Sequence, residues 1–201
     1  MKSADYLEAV FAMLGEATGH GANPGAWESI ENSLGFGLPA DYKQVLEAYG
    51  PVKLNGHLYV NHPATVRWNL GKWIRETVVA WGEVPWDDDI DGDPRPALGI
   101  SEMKFGTSDG LTPIAGTDRG ELIFLARGAS GQEWRIFVGD GDGEFFEYSI
   151  CFSEWLYRYL VGEDMAGPNS SAFYPGPVKF EGRPMSYGEE TAVWYGPDRG
   201  M

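Results

Sequence analysis

With 201 residues, 43% of them hydrophobic and 14% aromatic, the chain has enough apolar surface for one domain with an extension. A formal net charge of −15 argues against a phosphate-backbone binder, which needs Lys and Arg to displace counterions, and favours capture of a basic partner. The single cysteine, Cys151, excludes an internal disulfide framework. No apolar run is long enough to span a membrane, and MKSADYLEAVFAML is too acidic and amphipathic for a signal peptide, so a cytoplasmic protein is expected.

Three helices come first. Ser3 to Thr18 carries Tyr6, Leu7, Val10, Phe11 and Leu14 on one face, and a Gly-rich break follows. Asn23-Pro24 reads as a cap and first helical position, after which Trp27, Ile30 and Leu34 form an apolar stripe ending at Gly35. Pro39 opens a third helix with Tyr42, Val45, Leu46 and Tyr49 inward, and Gly50-Pro51 closes it. Asn55-Gly56 then predicts a hairpin between two short strands. Helical spacing returns from Thr65 to Trp81, and Glu83 to Gly99 is a surface loop.

Strands dominate beyond the loop: Glu102 to Phe105, Leu111 to Ala115, Glu121 to Ala126, Glu133 to Val138 and Phe145 to Ser149. The short turns between them suit antiparallel neighbours. A helix from Phe152 to Val161 closes this part, with Ser149 or Ser153 as its cap, and Cys151 beside it reads as a buried small hydrophobe. Residues 1–162 thus form the domain, and 163–201 a Gly/Pro-rich extension. Phe173, Tyr174, Phe180, Tyr187, Trp194 and Tyr195 make that extension too aromatic for disorder, so it is expected to dock on the domain with a hairpin around Glu181 to Pro184. Its apolar side chains could alternatively serve a partner interface or a homo-oligomer.

Chemical motifs are few. Gly106-Thr107-Ser108-Asp109-Gly110 spells the nucleophile elbow of serine hydrolases, but a strand-like segment follows it and all three histidines precede it, so it reads as a turn. Gly35-Phe36-Gly37-Leu38-Pro39-Ala40 follows a helix rather than a strand and reads as a hinge, not a dinucleotide loop. Asp87-Asp88-Asp89-Ile90-Asp91-Gly92 begins like a calcium loop, yet its twelfth position is Leu98 and prolines interrupt it. No paired His/Cys spacing suits zinc. No metal, cofactor or catalytic residue is expected, and nothing demands an enzyme.

The pattern Trp27-x-x-Ile30-Glu31-x-x-Leu34-Gly35, then Leu38-Pro39-Ala40-Asp41-Tyr42 and Gly50, resembles the N-terminal signature of the SUKH superfamily. The likeness runs on through Leu111 to Ala115, Gly120 to Leu125, Trp134 to Val138 and the terminal Phe152-x-x-Trp155-Leu156, covering roughly Ala26 to Gly162. That superfamily contains bacterial immunity proteins and yeast cell-wall assembly regulators. The resemblance implies an α+β fold, with N-terminal helices and a C-terminal helix packed on a largely antiparallel sheet, and no catalysis. It further implies a protein that binds a cognate polymorphic toxin, often a nuclease, and occludes its active site. The alternative it leaves open is a regulatory or scaffold protein binding other cytosolic partners.

Charge adds the expected contact surface. Asp87, Asp88, Asp89, Asp91 and Asp93 in one loop, with Asp140, Asp142 and Glu144 in another, would form a negative face toward a basic toxin if the two loops lie together. Trp86 would supply its apolar anchor. Contact with nucleic acid or membrane is not expected.

Overall fold

The computed structural model describes residues 3–19, 21–86, 90–129, 131, 133–140, 142–171 and 175–200. Three helices, α1 (Ser3–Leu14), α2 (Pro24–Leu34) and α3 (Ala40–Tyr49), precede the strands β1 (Val52–Leu54) and β2 (Leu58–Val60). Helix α4 (Leu70–Gly82) and the short α5 (Arg95–Leu98) come next, followed by β3 (Thr112–Thr117), β4 (Leu122–Arg127), β5 (Trp134–Gly139) and β6 (Phe145–Tyr148). Helix α6 (Phe152–Leu160) and the strands β7 (Lys179–Gly182) and β8 (Val193–Tyr195) complete the order.

The strands form one sheet in the order β6-β5-β4-β3-β2-β1-β7-β8, antiparallel throughout. This is the expected α+β architecture. The chain lays down β1 to β6 as consecutive neighbours, then returns past α6 to add β7 on the free side of β1. Val52 pairs with Gly182 and Leu54 with Phe180. Val178 and Phe180 are fully buried in the main core, and Trp194 of β8 stacks on Phe180 at 5.3 Å.

Alternate side chains of a strand point to opposite faces, and in the middle of this sheet both faces are buried. Ile123 and Leu125 of β4, with Ile136 and Val138 of β5, join the main core under α1, α2, α3 and α6. Phe124, Ala126 and Phe137 turn the other way into a second core with Leu98, Phe105, Leu111 and Phe145. Helix α4 serves both: Leu70 and Ile74 enter the first, while Trp81 lies over Phe124 at 4.9 Å.

The corner between α2 and α3 is held by named hydrogen bonds. Asn23 caps α2 by accepting from the Ala26 N–H at 3.0 Å, and Gly35 ends it in the left-handed conformation at φ 79°. Glu31 reaches across the turn, accepting from the Leu38 N–H and from Lys43 Nζ, each at 2.8 Å. Burial pushes the Glu31 carboxyl up, but the Lys43 and Leu38 hydrogen bonds outweigh it and hold the group below its ordinary range. The carboxylate of Asp41 accepts from the Tyr42 N–H at 2.9 Å and from the Ser153 N–H at 2.8 Å. One side chain therefore caps the start of α6 from α3, in place of the expected Ser149 or Ser153 side chain. Cys151 is the N-cap residue of α6 and is only partly buried, its Sγ lying 3.3 Å from Ser153 Oγ.

Pro113 sits in a central strand, where its missing N–H would break the ladder. A register shift absorbs it: Pro113 opposes Phe124 and Ala115 opposes Ile123, so Ile114 is the extra residue of a bulge. Tyr42, fully buried, donates its hydroxyl to the Ile114 carbonyl at 3.0 Å and meets Phe152 edge-on at 5.0 Å.

The stretch Glu83 to Gly99, expected as a surface loop, contains α5 with Leu98 buried, and four other expectations change. The helix expected from Thr65 begins at Leu70, because Asn69 caps it by accepting from the Lys72 N–H at 2.9 Å while Trp68 takes a left-handed φ of 56°. The helix expected from Ser3 to Thr18 stops at Leu14, where Gly15 turns to φ 80°. The strand expected at Glu102 to Phe105 reduces to one bridge, Phe105 to Leu111, closed by the turn Gly106 to Gly110. The hairpin after β7 turns through residues 183–192 rather than at Glu181 to Pro184.

Tyr42→Phe leaves the Ile114 carbonyl buried without a donor and is expected to lower stability by ~1–3 kcal/mol in urea denaturation. Tyr49 gives a pH prediction. Burial pushes its phenol up to about 12, and its hydroxyl donates to the Gly15 carbonyl at 2.6 Å. The unfolded chain releases this proton near pH ~10, so the folded state binds more protons between those values and stability falls as pH climbs through that window. Tyr42 and Tyr148 are pushed the same way by burial. Tyr49→Phe is therefore expected to lessen the alkaline loss without abolishing it, at a cost of ~1 kcal/mol at neutral pH.

Candidate partner-binding face

The two acidic loops meet. Asp91 forms a short parallel bridge with Glu144, and the Phe145 N–H donates to the Asp91 carbonyl at 2.8 Å. Residues around Asp91 thus lie along the start of β6, the outermost strand on that side, and cover part of its open hydrogen-bonding edge. Gly92 makes the approach feasible. Its φ is +69°, and a Cβ there would come within 1.8 Å of the Phe145 carbonyl oxygen, so no other residue fits without moving the backbone.

The acids divide by role. Asp140 is spent on its own loop: its Oδ1 accepts from the Asp142 N–H at 2.9 Å and the Glu144 N–H at 3.1 Å, an Asx-type turn. Asp93 clamps the start of α5, accepting from the Arg95 N–H at 2.9 Å and from Arg95 Nε at 3.0 and 2.9 Å through its two oxygens. Asp91, Asp142 and Glu144 are exposed, and among the described residues their side chains make no hydrogen bond or ion pair. Asp87, Asp88 and Asp89 lie outside the described residues.

Trp86 is half-buried rather than free. Its indole stacks on Trp81 at 5.4 Å, lies 5.5 Å from Phe145 and 5.8 Å from Phe105, and donates through Nε1 to the Trp81 carbonyl at 2.9 Å. It closes the second core and presents its remaining surface beside the acidic loops. Sequence reading missed the partners of this arrangement, Trp81, Phe105 and Phe145. A signal was present in the Trp81-x4-Trp86 pair, which brings two indoles past the end of a helix.

Local chemistry offers no competing centre. Gly106 to Gly110 is a turn in which Lys104 pairs with Asp109 at 2.6 Å and Thr107 donates to Asp109 at 2.9 Å, and β3 rather than a helix follows. Among the described residues no cluster of three or more His, Cys, Asp or Glu could hold a metal, and no helix is long and apolar enough to cross a membrane.

Comparison with known proteins supplies the family. No match was found among curated proteins or among solved structures. Residues 21–158 match the SMI1 / KNR4 family (SUKH-1), a span that takes in α2 to β6 and most of α6. The helix corner, the bulged strand capped by Tyr42, and the closing helix capped by Asp41 all fall inside that span, and the chain belongs to the SMI1 / KNR4 (SUKH-1) family.

Proposed function

We propose that this chain is an immunity protein: it binds a cognate toxin of a bacterial polymorphic toxin system and occludes its active site, without catalysis of its own. Membership of the SUKH-1 family carries the reading, since it supports a role of the immunity or regulator type. The finer step rests on electrostatics. In a chain of net charge −15, three acids without structural duty, Asp91, Asp142 and Glu144, stand beside a half-buried Trp86 at one sheet edge.

Such a patch steers a basic protein, and an indole already packed on one side loses little side-chain freedom on binding. The partner is a basic toxin, a nuclease suiting best because its substrate groove is built for phosphate. The protein acts in the cytoplasm and contacts neither nucleic acid nor membrane directly. A scaffold of the same fold would instead hold other cytosolic proteins, and the identity of the protein that co-purifies with the chain separates the two.

The test is the triple variant Asp91→Asn, Asp142→Asn, Glu144→Gln against the co-purifying toxin. The association rate at low salt is expected to fall about tenfold or more and to lose most of its salt dependence, with thermal stability unchanged. An unchanged rate, salt dependence and affinity would show that this face is not the contact.

A further inference from the structure

A cavity of about 580 Å³ lies away from the acidic edge. It opens between β2, the first turn of α4 and the chain that follows β7, and its walls include Tyr59, Asn61, Trp68, Lys72, Trp73 and Arg183. The volume falls in the range of roughly 300–1,000 Å³ typical of small-molecule sites.

Its charge runs against that of the chain. Arg67, Lys72 and Arg183 line it, against one acid, Glu76. Glu76 stands 3.7 Å from Lys72 as an exposed i,i+4 pair, which does little to neutralise the site.

Arg183 is the half-buried member. Its guanidinium lies 3.6 Å above the Trp68 ring and 5.1 Å from the Tyr59 ring, and Nη1 donates to Asn61 Oδ1 at 2.5 Å. No carboxylate pairs with it among the described residues. Its remaining nitrogens are not sealed in the interior without partners, and the residue lines the cavity. Burial pulls the group down to about 10, the mark of a cation that has lost water without gaining a counter-ion.

The floor beneath it is built, not incidental. Trp68 holds φ at 56°, a region that bulky residues rarely enter. Its carbonyl accepts from the His62 N–H at 3.1 Å and Thr65 Oγ1 at 3.4 Å, and its indole Nε1 donates to the Pro184 carbonyl at 2.8 Å. Backbone and ring are thus both fixed to carry the guanidinium. Arg183 and Pro184 lie beyond residues 21–158, so the strands added after α6 complete this cavity.

We propose that the cavity binds a small organic anion, whose phosphate or carboxylate group pairs with Arg183 and Lys72 and whose apolar body rests against Trp73 and the exposed Val66. A planar fork of donors backed by an aromatic ring suits either anion, and the ammonium of Lys72 adds charge at the mouth.

The full chain is titrated at constant ionic strength with phenyl phosphate, benzoate, inorganic phosphate and uncharged benzyl alcohol, following the indole N–H resonances by NMR. Saturable shifts of Trp68 and Trp73 with phenyl phosphate or benzoate, exceeding those with benzyl alcohol, are expected, and the tighter of the two assigns the anion. Arg183→Gln should weaken binding about tenfold or more, as loss of a charge-assisted hydrogen bond does. Lys72→Gln, at an exposed position where only the weak pair with Glu76 is lost, should weaken it about threefold. Asp142→Asn with Glu144→Gln should leave it unchanged, which separates this site from the partner-binding face. The proposal is overturned if no anion gives a saturable shift, if benzyl alcohol binds equally well, or if neither cation variant changes the affinity.

Discussion

A single hydroxyl joins the two halves of this fold. Tyr42 sends its O–H from the first turn of α3 into the middle of the sheet, to the carbonyl that the bulge at Ile114 leaves outside the ladder. One residue earlier, Asp41 caps α6 from a position 112 residues away in sequence. The start of α3 is therefore where helix, sheet and closing helix acquire a common frame. A tyrosine alone would satisfy the bulge, and an aspartate alone would cap a helix. Placed consecutively, they fix the angle between the elements they serve, and α1 then packs on α3 and α6 along the surface that results.

Much of this frame was legible in the residues. Asn23-Pro24, Gly35, Pro39 and Asn55-Gly56 act through local backbone chemistry, and local chemistry survives translation into structure. The alternation of Trp134, Ile136 and Val138 likewise gave β5 its inner face. What could not be read depends on distant partners. β7 forms because β1 offers an open edge about 125 residues earlier, and four residues such as Lys179–Gly182 carry no periodicity strong enough to announce it. The start of α4 was misplaced because Val66 and Thr65 continue a helical pattern, while Asn69 hydrogen-bonds back to Pro63 and Thr65 and forbids the helix there. The acids were visible as two loops. Their meeting was not, since it rests on one backbone hydrogen bond from Phe145.

Opposite charge characters occupy different parts of the same sheet. The acidic loops lie at β6, and the cavity spans β2 to the start of β4, with Arg183 at its β2 end, four strands along. At a spacing of about 4.8 Å per strand, roughly 19 Å separates Arg183 from the acidic edge. A separation of that size exceeds the screening length of about 8 Å at physiological ionic strength, so each surface acts on its own ligand with little interference from the other. The same sheet can present an acidic surface to a protein and a basic recess to a small anion.

Gly92 gives the acidic edge one more property. The loop is fastened to β6 by main-chain atoms, the Asp91 carbonyl and the Phe145 N–H, across a gap that admits no side chain. The side chains of Asp91, Asp142 and Glu144 therefore contribute nothing to holding the loop in place. Substitution at those three positions alters the charge pattern and leaves the scaffold intact, whereas the glycine between them is fixed by sterics. Such a surface can follow a partner that changes, residue by residue, with no penalty in folding.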